Sequence, residues 1–156
     1  MKSIIVCLLT VLLLTGCQLF KKNDEAKALL EKARKEYKEG RYDEAINTIE
    51  RLRNEHPKAI EERKEALKLF QDASLKQAQQ DLSRTDSLLE LAKQRYDVLQ
   101  HELLTGQWLK SDVNKKQEEM TEARRQRDSL QVRFDTQCAK IRYIHRKQKE
   151  HEEAGK

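Results

Sequence analysis

Seven residues could carry chemistry by type: Cys7, Cys17 and Cys138, and His56, His101, His145 and His151. A metal site needs three or four such ligands converging, and a helix brings two onto one face at i,i+4. The histidines are scattered, and neither H-E-x-x-H nor C-x-x-C occurs. His145 and His151 lie six apart, which favours two solvated side chains over a ligand pair. No glycine-rich phosphate loop and no G-x-S-x-G elbow is present. Paired carboxylates such as Glu118 and Glu119 are ordinary on a charged helix and lack a concave site to shift their pKa. No catalysis, metal or cofactor is expected.

Of the three cysteines, Cys17 stands in the most informative context. Lys2 precedes an unbroken apolar run, Ile4 to Leu14 (IIVCLLTVLLL), too short to span a bilayer, which takes about 20 residues. A positive start and a short apolar run have the form of a secretory signal. The run closes with Leu14-Thr15-Gly16-Cys17, which resembles the lipobox of bacterial lipoproteins. That resemblance implies cleavage before Cys17 and acylation of its thiol and amine. Residues 1–16 would be lost, and covalent lipid on Cys17 would be the only added group. Two or more acyl chains hold a protein stably to a membrane. In the sorting logic of that family an aspartate after the cysteine favours the inner membrane; Gln18 stands there instead, which implies the outer membrane. Leu19, Phe20, Lys21 and Lys22 separate Cys17 from Asp24 and Glu25, and a periplasm-facing protein is expected. Cys138 would then be the one remaining thiol, either a small apolar residue at a helix flank or an intermolecular disulfide partner.

The chain carries 38% charged and 5% aromatic residues, with one proline and four glycines among 156 residues. About 25% charged is usual, so a thick core is not expected; charged and apolar residues interleaved at helical spacing point to narrow, solvated helices. Without residues 1–16, 31 basic and 27 acidic residues remain, about +4. The signs alternate along each segment, as on a face laced with i,i+4 pairs. Clusters at Arg124, Arg125 and Arg127, and at Lys140, Arg142, Arg146 and Lys147, could meet anionic lipid or an acidic surface. Nucleic acid is not an expected partner of an exported chain.

The elements that follow the tether, residues 17–24, are helical by pattern. Ala26, Leu29, Leu30, Ala33 and Tyr37 recur every three or four residues, and Gly40 ends that helix. Tyr42, Ala45, Ile46, Ile49 and Leu52 form a second stripe. Pro57 closes the pair and is placed to start a third helix at its first position. The segment from Ala28 to Pro57 (ALLEKARKEYKEGRYDEAINTIERLRNEHP) resembles one tetratricopeptide repeat. Ala33, Tyr37, Gly40, Tyr42, Ala45 and Pro57 carry the resemblance, whereas Leu29 and Leu52 depart from the family's preferences. The resemblance implies a helical hairpin that serves protein binding. One repeat cannot bury its own face, so the third helix, through Ile60, Ala66, Leu67 and Phe70, or a partner must cover it.

Beyond Phe70 the apolar residues form a seam. Leu75, Ala78, Leu82, Thr85, Leu89, Ala92, Tyr96, Leu99 and Leu103 alternate steps of three and four. The helix from Pro57 to Leu104 would be about 70 Å long at 1.5 Å per residue. Thr105-Gly106-Gln107 breaks it, and Ser111 is a plausible N-cap for the next helix. There the seam continues with Val113, Met120, Ala123, Leu130, Phe134, Ile141 and Ile144, interrupted by Arg127 and Gln137. Two seams joined by a short loop predict an antiparallel coiled-coil hairpin, with Leu99 near Lys116 and Gln117, Tyr96 near Met120, Ala92 near Ala123, Leu82 near Phe134 and Leu75 near Ile141. Pairing of the same seams between chains is the rival. Trp108 at the tip is a clamp on the loop or a partner contact.

The expected molecule is all-α: a tetratricopeptide-like helical hairpin with a third helix over residues 25–74, a coiled-coil hairpin over 75–150, and a polar tail over 151–156. It would act as a membrane-anchored adaptor or scaffold for envelope proteins. The alternative is a structural coiled-coil homo-oligomer or spacer in the periplasm.

Overall fold

A computed structural model describes residues 24–106, 108 and 110–154. Among the described residues the chain is all-α, with four helices and no strand. Helix α1 covers residues 24–38, α2 Tyr42–Glu55, α3 Ile60–Thr105 and α4 Lys110–Ala154. The chain divides into two compact units, one ending at Lys76 and the other beginning at Gln77.

In the first unit, α1 buries Ala26, Leu30, Ala33 and Glu36 at helical spacing. Gly40 ends it in the left-handed region, at φ +75°. The Gly40 N–H donates to the Tyr37 carbonyl at 3.0 Å and the Arg41 N–H to the Glu36 carbonyl at 2.9 Å. This crossed pair satisfies carbonyls that a helix end leaves open. Helix α2 carries Asp43 and Glu44 in its first turn, where the helix dipole favours negative charge. It buries Ala45, Thr48, Ile49 and Leu52.

The start of α3 differs from the expectation built on Pro57. The His56 N–H still donates to Leu52, Pro57 and Lys58 form a turn, and α3 begins only at Ile60. The turn has its own bonds: the Ala59 N–H donates to the His56 carbonyl, and the Arg63 guanidinium donates to the Pro57 carbonyl at 2.7 Å. Pro57 therefore shapes the approach to α3. Ile60 does not join the core either, being 71% exposed. The covered face runs through Ala59, Glu62, Ala66 and Ala73, and Ile60 lies one residue, about 100°, away from it. The core consists of Leu30, Ala33, Ile49, Leu52 and Ala66, with Leu29, Leu69 and Phe70 packed against it.

In the second unit, the part of α3 from Gln77 onward and α4 form an antiparallel helical hairpin. Lys116 reaches Glu102 near the turn, Arg127 lies over Tyr96, and Lys140 donates to Gln77 at the far end. Lys116 thus reaches three residues nearer the turn than Leu99, where it was expected, because a long aliphatic stem carries its charge beyond its own position. Helix α4 begins at Lys110, so Ser111 lies within the first turn and is not its N-cap. Arg127 and Gln137 do not interrupt the seam: both are half-buried, as are Lys116, Met120, Leu130, Phe134 and Ile141, with Ala123 and Ile144 buried. The three-four spacing continues through the polar positions.

Candidate functional site

The repeat-signature residues come together in the first unit. Ala33 and Ala45 have no exposed surface; a methyl at each position lets the helix backbones approach closely. The Tyr37 and Tyr42 rings meet across the Gly40 turn, with centroids 5.6 Å apart and planes tilted by 56°, a geometry aromatic quadrupoles favour. Burial, the negative charge of Asp72 and the neighbouring Tyr42 together push the Tyr37 hydroxyl above its ordinary pKa. Pro57 is exposed and acts through its carbonyl.

A polar arrangement here was not read from the sequence. Glu36 is 4% exposed, and its carboxylate accepts from the Thr48 hydroxyl at 2.7 Å, with the Lys32 ammonium 3.7 Å away. A buried carboxylate without such partners would be costly. Arg34 pairs with Glu65 and tethers α1 to α3. Helical phase was the available signal, since Glu36 follows Ala33 by three and Thr48 follows Ala45 by three. His56 is also buried, with its Nδ1 atom unpartnered.

In the second unit, the predicted seam residues Leu82, Tyr96 and Leu103 are half-buried, and Leu89 and Leu99 are buried. Ala78, Thr85 and Ala92 fill the alternate positions and are also buried. Small residues alternate with large ones along this face. The Arg127 guanidinium lies 4.3 Å from the Tyr96 ring centroid. Its pKa is raised chiefly by its hydrogen bond to Asp128. Lys116 donates to Glu102 at 2.6 Å, the leading cause of its raised pKa.

Trp108 closes the turn. Its indole N–H donates at 3.0 Å to the Glu102 carbonyl, which also accepts from the Gly106 N–H. A Cβ on Gly106 would lie 2.1 Å from the Trp108 indole nitrogen, so the ring sits where only glycine leaves room. Lys116 lies 5.4 Å from the ring centroid. Trp108 is thus a clamp on the loop that retains 37% exposure.

The described residues contain no group of three or more His, Cys, Asp or Glu side chains able to hold a metal, and no helix long and apolar enough to cross a membrane. His101, His145 and His151 are exposed, and Cys138 is half-buried. Cys17 lies outside the described residues. A groove between α3 and α4 is open to solvent, with Leu88 and Arg95 on one wall and Glu122, Arg125 and Leu130 on the other. Its charged side chains could grip a protein or another helix more readily than a small molecule. No family model, no curated protein and no solved structure matches the chain.

Proposed function

We propose that the chain is a lipid-anchored helical adaptor of the bacterial cell envelope, held by Cys17 and acting by binding envelope proteins. The observation that carries the reading is Leu14-Thr15-Gly16-Cys17, placed at the end of a short apolar run and just ahead of two helical units. After cleavage, residues 17–23 would tether α1 close to the membrane, and binding falls to the helices.

 The first unit offers the docking surface: α1 and α2 close on each other through Ala33 and Ala45 and leave their charged outer faces to solvent. The second unit serves as a spacer or second contact. The outer membrane, facing the periplasm, is the proposed location, on the strength of Gln18.

A photo-reactive amino acid placed singly at the exposed Lys27, Lys35 or Asn47 of the full chain tests the adaptor role in cells. The expected result is one defined adduct from a subset of these positions, lost when neighbouring charges are reversed. Adducts of equal pattern from all positions, or none, would contradict it.

A further inference from the structure

The seam of the second unit is closed within the chain, yet α3 carries another stripe at the same spacing. Arg84, Leu88, Leu91, Arg95, Val98 and Glu102 follow one another in steps of four and three, which places them along one face over about 27 Å at 1.5 Å per residue. Leu88 is 50%, Leu91 62% and Val98 56% exposed. Three branched apolar side chains in line on one helix are more than scattered surface residues. Arg84 and Arg95 have no ion-pair partner among the described residues, whereas Glu102 meets Lys116 and keeps 41% of its side chain exposed.

The stripe is self-complementary when reversed. Two antiparallel copies crossing at Lys93 set Leu88 against Val98, Arg84 against Glu102, and Leu91 against the aliphatic stem of Arg95. Arginine stems cover apolar surface while the charged head stays in water. Parallel copies would set Arg84 on Arg84 and Arg95 on Arg95, which like-charge repulsion disfavours. A two-fold axis makes both halves of such an interface identical, the commonest arrangement of soluble dimers. We propose that this stripe of α3 docks a second copy of the chain, antiparallel, about a two-fold axis near Lys93. The interface is small, and the dimer is correspondingly weak and dynamic. The proposal stands on the second unit alone and does not depend on lipid at Cys17.

Disulfide trapping in the full chain tests it. With Cys7→Ala, Cys17→Ala and Cys138→Ser as the background, Leu88→Cys and Val98→Cys are introduced together and separately, and the purified full chain is oxidised. Residues 88 and 98 stand about 15 Å apart on one helix, too far for a bridge within a chain. The double variant should give a cross-linked dimer at least tenfold more abundant than either single variant. Equal yields from the single variants, or no dimer above background, would overturn the antiparallel docking. Leu91→Asp gives an independent reading by amine-reactive cross-linking of the otherwise unaltered chain. Dimer yield should fall several-fold at unchanged protease resistance; an unchanged yield would overturn the proposal.

Discussion

Glu36 and Thr48 show what a narrow core demands of a single polar residue. The carboxylate is buried between α1 and α2 and relies on the Thr48 hydroxyl. Removing one partner leaves a desolvated group unsatisfied, at a cost of about 1–3 kcal/mol. Thr48→Val, which keeps the shape and deletes the donor, should lower stability by that amount in urea unfolding. Gly40 makes a cleaner case, because nothing lies within 4 Å of the site of an added Cβ and the cost is the left-handed backbone alone. Gly40→Ala should destabilise the chain by about 1–2 kcal/mol, read from the same measurement. Tyr37 adds a pH dependence. Its folded pKa lies above its unfolded value, so the folded state holds the proton more tightly. That contribution is fully present below about pH 10, the ordinary tyrosine value, and is lost as pH rises through the folded pKa. Tyr37→Phe should therefore flatten the alkaline loss of stability; an unchanged alkaline limb would contradict the assignment. Gly40, Ala33 and Ala45 were legible because size and backbone freedom are properties of the residue itself. Glu36 and Thr48 were not, because their polarity hid them from a search for apolar stripes, although they stand in phase with one.

At the scale of elements, the helices and their facing sides were legible in the periodicity, and their ends were less so. Pro57 and Ser111 carry helix-start signals, yet α3 begins at Ile60 and α4 at Lys110. In the first case the turn through Pro57 and Lys58 is held by Ala59 and Arg63, contacts that no local signal announces. The same limit applied to the seam of α4, where Arg127 reads as an interruption because its charge outweighs its spacing. In the structure its guanidinium lies over the Tyr96 ring and the residue is half-buried. Arg127→Ala should lower the melting temperature of the hairpin, and Arg127→Leu should restore or exceed it, because a branched apolar side chain suits the same seam. If Ala and Leu behaved alike, Arg127 would not be a seam residue. The clamp at Trp108 depends in turn on Gly106, and Gly106→Ala should disturb the indole environment, visible as a shift in tryptophan fluorescence.

For the whole molecule, the all-α class and the helical hairpins follow from composition and spacing: many charges, few aromatics, and apolar residues three and four apart. What the helices bind is not written in that pattern, because a solvated helical face satisfies the same spacing whoever its partner is. The proposed role rests instead on the amino end, where residues 14–17 would attach the two helical units to a membrane. The most direct test is the intact mass of the protein purified from membranes of a bacterium that expresses the full chain, alongside Cys17→Ser. The account predicts a chain beginning at Cys17 and heavier by its acyl groups, with the Cys17→Ser protein neither cleaved at that point nor acylated. An unmodified chain that still begins at Met1 would contradict it.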